Sequence, residues 1–135
     1  MTYNPLLRPI IVLIAWTLVM LVWMAAKRLP RLKGKQIPDG TRGSDMPAGA
    51  HNWPAHNYEH LLEQPTIFYA IVLALALMGM NHPINVMLAW GYVGLRVIHS
   101  LVQAITNRVL HRFAIFLLSS VCLMILIGFA TCSVF

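Results

Sequence analysis

Apolar residues run unbroken by charge from Ile10 to Ala26 and again from Phe113 to Phe135. At about 1.5 Å of rise per residue, either stretch crosses most or all of a hydrocarbon layer roughly 30 Å thick when helical. Between them, Pro65–Met80 is uncharged, and Ile84–Ile105 is apolar apart from Arg96, His99 and a few neutral polar groups. Asn81, His82 and Pro83 read as a short turn. A segment in lipid must satisfy its own backbone hydrogen bonds, so all four stretches read as helices. The pattern predicts spans at about 6–26, 54–80, 84–110 and 113–134, the last three joined as tight antiparallel hairpins, with a loop over about 27–53. The predicted fold is an all-α integral membrane four-helix bundle, one domain covering 1–135.

Composition narrows the class. Only 10% of the 135 residues are charged and 59% are hydrophobic, with a mean hydropathy of +0.69. A soluble domain carries about 25% charged residues, so there is too little charge here to cover a water-facing surface. The net charge of +6 comes from ten Lys and Arg against four Asp and Glu. Its basic residues sit between apolar runs and not on one solvated face, which excludes a soluble nucleic-acid-binding domain and predicts no nucleic-acid partner. The bilayer is the expected partner.

Charge also orients the chain. Lys27, Arg28, Arg31, Lys33 and Lys35 directly follow the first span, a retention pattern and not a cleavage site. That connection holds six of the ten cations, and Arg108 and Arg112 follow the third span. By the positive-inside rule both basic connections are cytoplasmic and both termini lie outside, an arrangement that suits a bacterial inner membrane. The first connection is punctuated by Pro and Gly and reads as a loop resting on anionic headgroups, with ligand binding by Arg42 as the lesser reading. Cys122 and Cys132, ten positions apart on the last helix, are too distant to bridge.

Two polar stripes carry the chemistry. His56, His60 and Glu63 fall at i, i+4 and i+7, on one helical face, just before Pro65 removes an amide donor and predicts a kink. On the third span, Tyr92, Arg96, His99 and Gln103 recur at spacings of three and four. An arginine inside a span costs about 2.5 to 3.5 kcal/mol on insertion scales, so Arg96 is expected to face protein and find a partner. A hairpin turning at His82 puts Glu63 level with about Leu101, His60 with about Ala104 and His56 with Arg108. The arginine's long side chain then predicts that Glu63 meets Arg96 or His99 across the two helices. The facing stripes read as a polar ligand pocket near the cytoplasmic surface.

Residues 55–69 (AHNYEHLLEQPTIFY), 90–99 (WGYVGLRVIH) and 106–113 (TNRVLHRF) resemble the membrane-associated proteins in eicosanoid and glutathione metabolism, the MAPEG family. The length and the four-span plan agree, so the resemblance covers most of the chain. It implies a homotrimer that binds glutathione between neighbouring subunits and uses its thiolate against a small lipophilic electrophile or a peroxide. By position, Glu63 and Phe68 match the second-helix motif, His60 stands at the family's Asn and His56 at its Arg, and a shifted frame makes Asn57 the match. Tyr92 and Arg96 match in the third helix, and His99 takes a position often held by Tyr. Arg108 resembles the arginine that stabilises the thiolate. The resemblance thus implies a glutathione transferase or peroxidase with Arg108 catalytic and His56, Asn57, His60, Glu63, Tyr92, Arg96, His99 and Gln103 binding glutathione as co-substrate.

The chemistry is coherent. Glutathione has two carboxylates and one ammonium, which call for cations such as Arg96 and Arg108 and a carboxylate such as Glu63. A guanidinium beside the thiol favours its thiolate, the attacking species. Two other readings stand beside this one. A non-catalytic relative could bind a lipid or a partner, and His56, Glu59 and His60 satisfy the H-x-x-E-H pattern of a zinc hydrolase.

Overall fold

The computed structural model describes residues 3–36, 38–41, 49 and 51–135; Arg42 lies outside them. Four helices make up the chain: α1 (Leu7–Leu32), α2 (Trp53–Leu77), α3 (Pro83–Ile105) and α4 (Val109–Val134). Each is long and apolar enough to cross a membrane. The central pair α2 and α3 touches every other helix, α1 packing chiefly on α2 and α4 chiefly on α3, while α1 and α4 meet least.

The core follows a seven-residue rhythm that brings one stripe of each helix to the centre. Leu6, Leu13 and Met20 are buried at or along α1, and Leu61, Phe68 and Leu75 on α2, with Pro65 and Val72 between them. On α4 the stripe is Ser119, Leu123, Leu126 and Ala130. The α3 stripe is different in kind, since Tyr92, Arg96, His99, Ser100 and Gln103 are all buried beside Ala89 and Val93. Large apolar side chains such as Ile11, Leu18, Leu73, Leu117 and Met124 are exposed on the outside, where a bilayer would solvate them.

Helix ends depart from the sequence expectations for identifiable reasons. α1 continues past Ala26 to Leu32 because Lys27, Arg28 and Arg31 are good helix formers, whatever the membrane does there. Helix α2 stops at Leu77 and not at residue 80. Gly79 adopts φ +70°, Met80 N–H donates to the Leu75 carbonyl and Gly79 N–H to that of Ala76, which closes the helix end. His82 accepts from the Ile84 amide and opens α3. At its far end α3 stops at Ile105, five residues early, because Asn107 takes the left-handed conformation at φ +48° and donates to the Val102 carbonyl. α4 therefore begins at Val109, four residues before the expected start.

Two polar contacts tie the ends together. Asn4 Nδ2 donates to the Ala76 carbonyl, fixing the start of α1 to the end of α2. At the opposite end Arg28 Nε donates to Asn52 Oδ1, joining the end of α1 to the start of α2. The basic stretch after the first span, His51, and the α3–α4 turn all lie at this second end of the bundle.

Candidate functional site

The α2–α3 register is set by two ring contacts. Phe68 stacks on Tyr92 with centroids 4.3 Å apart and planes 10° from parallel, and His60 meets His99 edge-on at 6.3 Å. The hairpin is thus centred near Met80 and not at His82. That moves α3 by about one turn relative to the expected pairing, bringing His60 level with His99 and Gln64 level with Arg96.

Glu63 does not meet Arg96 or His99, contrary to the sequence reading. It is a half turn away from Leu61 and Pro65, the buried stripe, and therefore points outward with its side chain 68% exposed. Its partner is His60 on the same helix, with Nδ1 to Oε2 at 3.2 Å. Gln64 takes the inward place instead. Its Oε1 accepts from the Tyr92 hydroxyl at 3.4 Å, and Tyr92 Oη accepts from Arg96 Nε at 3.2 Å. Gln64 Nε2 donates to Ser120 Oγ at 2.7 Å, and Ser120 donates onward to the Phe116 carbonyl at 2.8 Å. A single hydrogen-bonded chain therefore joins α2, α3 and α4 around the buried arginine.

Arg96 is 1% exposed. Its guanidinium carbon lies 5.3 Å from the centre of the Tyr92 ring and 5.2 Å from that of Phe116, so two aromatic faces hold the cation. Its Nη2 has no hydrogen-bond partner among the described residues. The same holds for Ser100 Oγ, Gln103 Oε1 and both amide atoms of the fully buried Asn57. By the register, Asn57 is level with Gln103.

Beside this network, at the basic end of the bundle, lies an open-sided recess of about 260 Å³ lined by His60, His99, Val109, Arg112, Phe113 and Phe116. Arg112 Nη1 donates to Asn107 Oδ1 at 2.5 Å, so the residue that ends α3 also holds a cation of the recess. Arg112 Nε is buried without a partner among the described residues. Arg108 is exposed at the cap of α4, outside the lining. His56 is half-buried one turn before His60.

The expected stripe residues thus divide. Tyr92, Arg96, His99 and Gln103 are buried, His60 and His99 come together at the recess, and Glu63 and Arg108 stand outside its lining. The described residues bring no three His, Cys, Asp or Glu side chains into a group able to hold a metal, and Glu59 of the zinc pattern is exposed. The sequence reading passed over Arg112, Phe116, Gln64 and Ser120. A signal for the first two exists: counted back from Ala130, Leu126, Leu123 and Ser119 at alternating steps of four and three, the inner stripe of α4 reaches Phe116 and then Arg112.

The recess combines a cation, two imidazoles and an aromatic wall, and opens on the outer surface of the bundle. Such a lining suits an anionic polar molecule on one side and an apolar one on the other. In comparison with known proteins, the MAPEG family model matches residues 6–132. No curated protein and no solved structure matches the chain.

Proposed function

The chain belongs to the MAPEG family, and from that premise we propose that it is a membrane-bound glutathione transferase or peroxidase acting on small lipophilic electrophiles. The family places it among multi-pass membrane proteins of eicosanoid and glutathione metabolism. The observation that carries the finer reading is the recess where Arg112, His60 and His99 face Phe113 and Phe116. Glutathione enters as substrate. Arg112 takes the part that the resemblance assigns to Arg108, because its guanidinium is in the recess and its buried Nε has no partner among the described residues. Positive charge beside the thiol favours the thiolate, which forms the new S–C bond as the electrophile's leaving group departs with the bonding pair. With a hydroperoxide, two glutathiones become the disulfide while the O–O bond is reduced to an alcohol and water. Phe113 and Phe116 supply the apolar wall along which the second substrate arrives from the bilayer.

Glu59, Glu63 and Thr66 are exposed on the outer face of α2, among apolar side chains. Carboxylates facing acyl chains are costly, so this face is covered by a neighbouring copy in a homotrimer, which closes the open side of the recess and brings Glu63 to the ligand's ammonium. The basic end is cytoplasmic and both termini lie outside, in a bacterial inner membrane.

The test is conjugation of glutathione to a chloro-nitrobenzene by the purified chain in lipid. Arg112→Ala is expected to lower kcat/KM about 10²-fold, in the range seen when a charge-stabilising group is removed, and to raise the pH at which the bound thiol ionises. Arg108→Ala stays within about twofold on this assignment. Binding of glutathione with no turnover of either substrate class would favour the non-catalytic reading.

A further inference from the structure

We infer that Gln64 sets the charge of the recess: it gives Tyr92 a neutral acceptor and so leaves the buried Arg96 cation for a carboxylate of the bound ligand to balance. The ligand half of this inference rests on the glutathione reading above. The protein half rests on geometry alone.

Arg96 is held by one hydrogen bond to Tyr92 and by two aromatic rings, all neutral. Among the described residues the only contact between a basic side chain and a carboxylate is that of His60 with Glu63, on the outer face of α2. Asp39 and Glu59 are exposed elsewhere. The relay from Arg96 through Tyr92 ends on Gln64, whose amide is engaged at both ends, Oε1 toward Tyr92 and Nε2 toward Ser120. A carboxylate at this position would complete a buried ion pair through the same hydroxyl. The amide does not, and among the described residues Nη2 keeps both its hydrogens unpartnered.

The uncancelled charge is felt in the recess. Phe116 lines that space and packs its ring 5.2 Å from the guanidinium carbon, so the cation stands one aromatic ring behind the wall. Arg96 is itself 1% exposed, and charges interact more strongly from such buried surroundings than through bulk solvent. An anionic group bound beside His99 and Arg112 therefore gains from Arg96 without touching it, and a neutral group of the same shape gains nothing.

The experiment compares the full-length wild-type chain with Gln64→Glu and Gln64→Met in lipid nanodiscs. Thermal unfolding is measured without ligand, and calorimetry follows binding of glutathione and of its diethyl ester, which has both carboxylates blocked. Gln64→Glu is expected to raise Tm by about 3 °C or more and to weaken glutathione about tenfold or more. The ester is expected to bind the wild type and Gln64→Glu within about threefold of each other. Gln64→Met, which removes the hydrogen bonds and adds no charge, is expected to lower Tm and to keep glutathione affinity within about threefold. A Gln64→Glu chain with lowered Tm, or with unchanged glutathione affinity, overturns the inference, as does a Gln64→Met chain that loses as much affinity as Gln64→Glu. A wild-type chain that binds neither probe removes the glutathione reading, while the ligand-free Tm of Gln64→Glu still decides the charge of Arg96.

Discussion

One residue of sequence separates Glu63 from Gln64, and about 100° of helical rotation puts the first outside and the second in the centre. The need of Arg96 for burial and partners was legible from its place inside a span. Its partner was not, because a carboxylate is the usual mate for a guanidinium and Glu63 lies one position from Gln64. The rotation itself could be read, since Leu61, Pro65, Phe68 and Val72 fix the inner stripe and exclude Glu63 from it. Tyr92 is the hinge of the network, donating to Gln64 and accepting from Arg96. Tyr92→Phe keeps the stack on Phe68 but strips both partners, and is expected to cost about 1 to 3 kcal/mol in chemical unfolding. Outside the spans, His51 is held below its ordinary 6.5 by partial burial first and then by Arg31, Lys35 and Arg28. Its contribution to stability is therefore full above pH 6.5 and lost as pH falls through the lowered value. A ring-proton titration by NMR is expected to show a midpoint under 6.5 that moves up in Arg31→Gln.

Elements were legible in number and direction, and less so at their ends. Hydropathy marks where lipid begins, whereas a helix ends where the backbone turns, and the two differ at the C-terminal ends of α2 and α3. Gly79 and Asn107 do the turning, and each has a left-handed φ. Gly79→Ala is expected to cost about 1 kcal/mol from backbone strain alone, since nothing lies within 4 Å of the added methyl group; thermal unfolding of the purified chain measures it. Starting α4 at residue 113 hid its inner stripe. With the start at Val109, Arg112 occupies the first turn and faces the recess, while Arg108 is left at the cap.

At the scale of the molecule, four membrane-crossing helices and the family were legible because both rest on long patterns that single errors do not disturb. The recess was legible only in part, because its lining comes from three helices whose mutual register depends on a turn misplaced by two residues. The outer face of α2 poses the remaining question, with Glu63 exposed beside Leu62 and Ile67. Native mass spectrometry from mild detergent is expected to give three copies of the 15.2 kDa chain, and a monomer as the sole species would show that Glu63 meets lipid.

The amide at Gln64 has a historical consequence. Codons for glutamine and glutamate differ by one base, so a lineage could cross in a single substitution from a protein that waits for its ligand to one that carries its own counter-ion. Descendants on the two sides of that step would share a fold and diverge in what they hold.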